Sequence, residues 1–138
     1  KIALCLNMEP IFFKKNIRHF NSNNDGIADW NKIYDSLGND INAIRNIIAK
    51  FLEVTPKYYK EILKSYKTRN FLKLGTISHK MKSSISLIAS VKAIENLSQI
   101  NTLAKTTDNI EDIRPHIDYL KKWYPELCRE LEKKEIVK

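Results

Sequence analysis

Apolar residues recur at intervals of three and four along four long stretches of this chain, and no other feature narrows its fold so far. Ile41, Ile44, Ile48, Phe51 and Leu52 open the first stretch, which resumes after Pro56 with Tyr59, Ile62, Leu63 and Tyr66. The second runs from about Phe71 to Ile88. The third carries Val91, Ile94, Leu97, Ile100, Leu103 and Ala104, and the fourth Ile113, Ile117, Leu120, Tyr124, Leu127 and Leu131. That is the period of an α-helix burying one face. Only 3 Gly and 4 Pro occur in 138 residues, too few turn-formers for a sandwich or barrel. The breaks between stretches are short, and short connections make successive helices antiparallel neighbours. The expected fold is all-α, an up-down-up-down four-helix bundle.

The punctuation supports this division. Asp29 can cap a short helix bearing Trp30, Ile33, Tyr34 and Leu37, which stops at Gly38, expected in the left-handed helical conformation. Asp40 can cap the first long helix. Pro56 is expected either to kink that helix or to restart it with Thr55 as the new cap. Thr68 to Asn70 ends it, Ser90 precedes the third helix and Thr106 to Asn109 closes that one. The last helix is expected to kink at Pro125 and fray over its charged end. Ahead of the bundle, Ile11, Phe12, Phe13, Ile17 and Phe20 are expected to form an extra short helical segment, followed by the linker-like run Asn21 to Gly26. Residues 1–28 are thus read as an N-terminal segment and 29–138 as the bundle domain. The chain opens on Lys1 and is read as a piece of a longer or processed chain.

Several function classes are excluded by what is missing. No run reaches the roughly 18 apolar residues of a membrane span, and no secretory cleavage signal is visible. Cys5 and Cys128 match no metal or redox spacing and are expected to be free thiols in a cytoplasmic protein. No metal-ligand cluster, phosphate-binding glycine loop or nucleophile elbow occurs. A net charge of +8 invites a nucleic-acid partner, but the 24 basic residues are scattered and form no recognised binding motif. A basic surface suits an acidic protein or a phosphoryl group equally well.

The second helix carries the candidate chemistry. On a helical wheel with His79 at zero, Leu74, Ile77, Met81, Ile85 and Ile88 fall at roughly 160° to 240°, so His79 points to solvent. The neighbours read onto its exposed face are small: Gly75, Thr76, Ser83 and Ser86. A glycine within a helix costs about 1 kcal/mol relative to alanine, and close approach of another protein to the imidazole is one reason for it. Lys80 and Lys82 flank the clearing. A nearby ammonium favours a neutral, nucleophilic imidazole, and such groups can later pair with phosphoryl oxygens. Geometry alone leaves open both a nucleophile and an ordinary solvent histidine.

His79-Lys80-Met81-Lys82-Ser83-Ser84 resembles the H-x-x-K-G-S signature of histidine-phosphotransfer (HPt) domains. Gly38-Asn39-Asp40 and Phe51-Leu52-Glu53-Val54-Thr55-Pro56 resemble that family's flanking elements, and the similarity runs from about Asp29 to Lys134. The resemblance implies a phosphorelay intermediate, a carrier and not an enzyme. His79 would be the phosphoacceptor on Nε2, Lys82 the phosphate-facing lysine, and Gly75, Thr76, Lys80, Ser83 and Ser86 the docking surface. It implies no cofactor on this chain. The partners would be response-regulator receiver domains, which bring Mg²⁺ and the aspartyl phosphate, and a hybrid histidine kinase, with the carrier itself a monomer. Ser83 stands where the family has Gly, and Ala89 where a Gly often ends the helix. Ser84 falls toward the buried side, where packing or a helix hydrogen bond is expected.

Two other readings stand beside this one: a helical adaptor that no longer accepts phosphate, and a basic bundle that binds nucleic acid. His19 and His116 lack any partner motif and are read as surface or packing residues. Trp30, Trp123, Tyr58 and Tyr59 are read as packing residues.

Overall fold

A computed structural model describes residues 26–133. The helix expected within residues 11–20, with Cys5 and His19, and the end beyond residue 133 lie outside the described residues. Within them the chain forms five α-helices: α1 Trp30–Leu37, α2 Ile41–Lys67, α3 Phe71–Ile85, α4 Val91–Thr106 and α5 Arg114–Lys133. A 3-10 turn, Ile110–Asp112, precedes α5. The long helices form an antiparallel four-helix bundle in which α2 packs on α3, α3 on α4, α4 on α5, and α5 back on α2. None is long and apolar enough to cross a membrane.

The caps follow from residue chemistry. Asp29 Oδ1 accepts from the Lys32 amide at 3.0 Å, and Asp40 Oδ1 from the Ala43 amide at 3.0 Å. Asn70 caps α3 through the Lys73 amide at 3.2 Å, and Ser90 caps α4. Gly38 ends α1 with φ +67° and ψ −144°, a conformation that glycine alone adopts without strain; ψ lies outside the left-handed helical range expected for it. The α2–α3 turn is a Schellman motif: the Asn70 amide donates to the Ser65 carbonyl at 2.9 Å and the Arg69 amide to the Tyr66 carbonyl at 3.1 Å. Its left-handed position, φ +60°, is held by Arg69.

Pro56 and Pro125, the two prolines expected to disturb their helices, both lie inside them. α2 runs through Pro56 without restarting, and α5 runs through Pro125. Thr55 therefore does not cap; its hydroxyl donates to the Phe51 carbonyl at 2.8 Å and meets the Tyr124 hydroxyl at 2.9 Å. With the threonine proton so committed, the tyrosine O–H is the donor between them. Tyr59 stacks on Tyr124 with centroids 4.4 Å apart, and Phe51 and Trp123 pack around the same ring. Trp30 and Trp123 are buried and Tyr58 and Tyr59 half-buried, as expected of packing residues. Cys128 is a free, half-buried thiol; burial pushes its pKa up, which keeps it protonated and unreactive.

The bundle's packing begins before Asp29. Residues 26–29 lie as a strap across the α3–α4 connection. Ala28 bridges to Ala89, the Asp29 amide donates to the Ile88 carbonyl, and the Ser90 amide donates to the Ile27 carbonyl, both at 2.8 Å. The Glu130 carboxylate on α5 accepts from the Ile27 amide at 2.9 and 3.0 Å and from the Ala28 amide at 2.8 Å. Gly26 lies close beneath this carboxylate: a Cβ there would come within 2.9 Å of Glu130 Oε1, so the glutamate end would have to shift. Hydrogen bonds to a charged acceptor are worth about 1.5–3 kcal/mol. Glu130→Ala should therefore lower stability by about 2 kcal/mol in urea unfolding, and amide exchange at Ile27 and Ala28 should speed up.

Candidate functional site

α3 owes its place to a buried row. Leu74, Ser78, Met81 and Ile85 are fully buried, Ile88 follows just past the helix end, and Ile77 is partly covered. Ser78 is tolerated there because its hydroxyl donates to the Leu74 carbonyl at 2.7 Å. The helix stops at Ile85, before the Ile88 end expected from periodicity, and a turn carries Ile88 into the core.

The opposite side presents His79 to solvent, with Thr76, Lys80, Ser83 and Ser86 also exposed. Leu72, Thr76, His79, Ser83 and Ser86 follow one another at four, three, four and three residues, so they form one line along the helix. The line has low relief. Thr76 donates to the Leu72 carbonyl at 3.0 Å, Ser83 to the His79 carbonyl at 3.2 Å and Ser86 to the Ser83 carbonyl at 3.1 Å. The hydroxyls are thus turned down onto the backbone, and the imidazole is the tallest polar group on the strip. Ser84, half-buried, donates to the Lys80 carbonyl at 3.2 Å, the helix hydrogen bond expected of it. Lys80 is exposed and Lys82 half-buried, on opposite flanks of the strip. Neither forms an ion pair with a described carboxylate.

Two features differ from the sequence reading. Gly75 is not on the exposed face: it is buried against α4. A Cβ there would lie 3.4 Å from Asn101 Oδ1 and 3.5 Å from Ala104 Cβ. It faces α4 and not another protein, so it leaves the docking set. Those distances are ordinary contact, so a methyl fits. Gly75→Ala should raise stability by about 0.5–1 kcal/mol through helix propensity, read in urea unfolding. It should leave any reaction at His79 unchanged. The second feature is Leu72, which sequence reasoning missed. It is 85% exposed and heads the His79 strip. The signal was present, an apolar residue seven before His79 and off the core row.

Among the described residues the rest of the surface adds no competing centre. A cleft of about 810 Å³ lies between α1 and the start of α4, lined by Asp29, Lys32, Asp35, Ser90, Lys92 and Tyr119 among others. Lys32 is engaged there, its Nζ donating to the Ala89 carbonyl at 2.7 Å; partial burial lowers its pKa while Asp29 opposes that. No group of three or more His, Cys, Asp or Glu that could hold a metal occurs among the described residues. His116 is half-buried near the start of α5, where its backbone carbonyl accepts from Asn96. In comparisons with known proteins, no family model, curated protein or solved structure matches this chain.

Proposed function

We propose that this chain is a phosphocarrier of the histidine-phosphotransfer kind. It accepts a phosphoryl group on His79 from a receiver-domain aspartyl phosphate and passes it to another receiver. The observation that carries the reading is the placement of His79. The imidazole is exposed at the middle of a bare strip on a rigid, capped helix, with Lys82 three residues on.

In the transfer step the Nε2 lone pair forms an N–P bond as the acyl P–O bond breaks, and the aspartate carboxylate keeps the electron pair. The low strip lets the partner's phosphoryl group reach the ring. Leu72 offers an apolar contact two turns away. Lys82, half-buried and without an ion pair to a described carboxylate, pairs with the phosphoryl oxygens once they arrive. Mg²⁺ belongs to the receiver. This chain contributes an acceptor and a docking face, and works as a cytoplasmic monomer alongside receivers and a hybrid kinase.

The test is direct. Receiver domains charged with radiolabelled acetyl phosphate and Mg²⁺ are mixed with the chain, and label is followed by gel. Rapid appearance of acid-labile, alkali-stable label on this chain is the expected result. Absence of label from every receiver of the source genome would overturn the proposal in favour of a phosphate-independent adaptor.

A further inference from the structure

The exposed face of α2 changes character along its length. Its first half shows Asn42, Arg45, Asn46, Ala49, Lys50 and Glu53. From residue 54 to the helix end every exposed residue is a lysine: Lys57, Lys60, Lys64 and Lys67. The spacing of three, four and three keeps them in one line, roughly 15 Å long at 1.5 Å per residue. None forms an ion pair with a described carboxylate. Of the acids beside them, Glu61 pairs with Lys73 of α3 at 2.8 Å, and Glu53, four residues before Lys57, forms no ion pair with it.

A solvated helix face would ordinarily mix its charges, as α5 does with Asp118, Lys121, Lys122, Glu126 and Arg129, the last two paired. Like charges three and four residues apart destabilise a helix. Lys64 and Lys67 lie in the last turn, where the helix dipole favours cations. Lys57 and Lys60 lie beyond its reach. The Glu61–Lys73 pair also fixes the stripe's position: α2 turns this flank toward α3, and Lys80, seven residues after Lys73, lies on the facing flank of α3. The stripe therefore borders the helix that presents His79.

We infer that Lys57, Lys60, Lys64 and Lys67 form a docking stripe for an acidic helix of a protein partner. The three-four-three spacing is that of one face of a second helix, so carboxylates at the same spacing meet all four ammonium groups. The buried residues of α2, among them Phe51 and Ile62, belong to the bundle core and leave no apolar face to enter a lipid surface. No exposed arginine or aromatic ring stands among the lysines to take a nucleic-acid base; Tyr59 is stacked on Tyr124. This inference stands on the charges and does not depend on phosphotransfer at His79.

The probe is an alanine-based helical peptide with glutamates at the three-four-three spacing. A scrambled peptide of identical composition, phosphatidylserine vesicles and duplex DNA are the comparisons, all at low salt. The matched peptide should bind best, and Lys57→Glu/Lys64→Glu should weaken it by about ten-fold or more. Near-molar salt, where the Debye length falls to about 3 Å, should do likewise. Lys121→Glu/Lys122→Glu and His79→Gln should bind as the unaltered chain does, and circular dichroism should show every variant folded. Equal binding of the scrambled peptide, tighter binding of vesicles or DNA, or an affinity unmoved by the α2 charge reversal would overturn it. Because the readout is binding alone, a chain that takes no phosphate can still meet this prediction.

Discussion

His79→Gln is expected to abolish phosphoryl acceptance completely while leaving the fold intact. Glutamine keeps polarity and helix propensity at an exposed site, so no packing is disturbed and stability should move by less than about 0.5 kcal/mol. An amide has no lone pair able to form a stable N–P bond, so no label should survive on the chain. His116, half-buried with its backbone tied to Asn96, is the internal control: His116→Gln should leave labelling at full strength. Lys82→Ala should retain the label but slow its arrival by about ten-fold or more, the usual cost of one lost electrostatic contact to a transferring group. Lys80→Ala, on the other flank, measures how much of that effect is local charge. Labelling that persists in His79→Gln at the original rate would remove His79 from the mechanism.

Much of this was legible before any coordinates. The order of the helices from Trp30 on, and the caps at Asp29 and Asp40, follow from the spacing of residues such as Ile44, Ile48 and Ile62 and from those two aspartates, because burial of one helical face and satisfaction of end amides are local demands. The exposure of His79 followed from the same wheel. What failed were features set by neighbours. Gly75 lies about 40° from His79 on the wheel, on the solvent side of an isolated helix, yet α4 closes over that flank with Asn101 and Ala104. Of the two outcomes expected at Pro56, a kink or a restart, the restart capped by Thr55 does not occur, although a proline inside a helix costs about 3 kcal/mol. Phe51, Thr55 and Ile62 keep one buried register across it, and their packing outweighs the missing amide. The grip of Glu130 on the strap at Ile27 and Ala28 joins residues over a hundred positions apart and leaves no local pattern to read.

Asn96→Ala is expected to be the most destabilising polar substitution in the bundle, at about 3 kcal/mol. Asn96 is 5% exposed on α4 and faces α5. Its Oδ1 accepts from the Trp123 indole N–H at 2.8 Å, and its Nδ2 donates to the His116 carbonyl at 3.0 Å. One amide therefore ties α4 to two turns of α5. Removing it leaves the Trp123 N–H buried without an acceptor, a desolvation cost of about 1–3 kcal/mol, and opens a small cavity besides. The His116 carbonyl is affected less, since a helix carbonyl keeps its backbone partner. Against a total stability of about 5–15 kcal/mol for a domain of this kind, the loss is large enough to lower the urea midpoint clearly. A double-mutant cycle isolates the cause. Trp123→Phe deletes the donor, so in that background Asn96→Ala should cost at least about 1 kcal/mol less than it does alone. Strict additivity would show that volume, and not the hydrogen bond, holds α4 to α5 at this point.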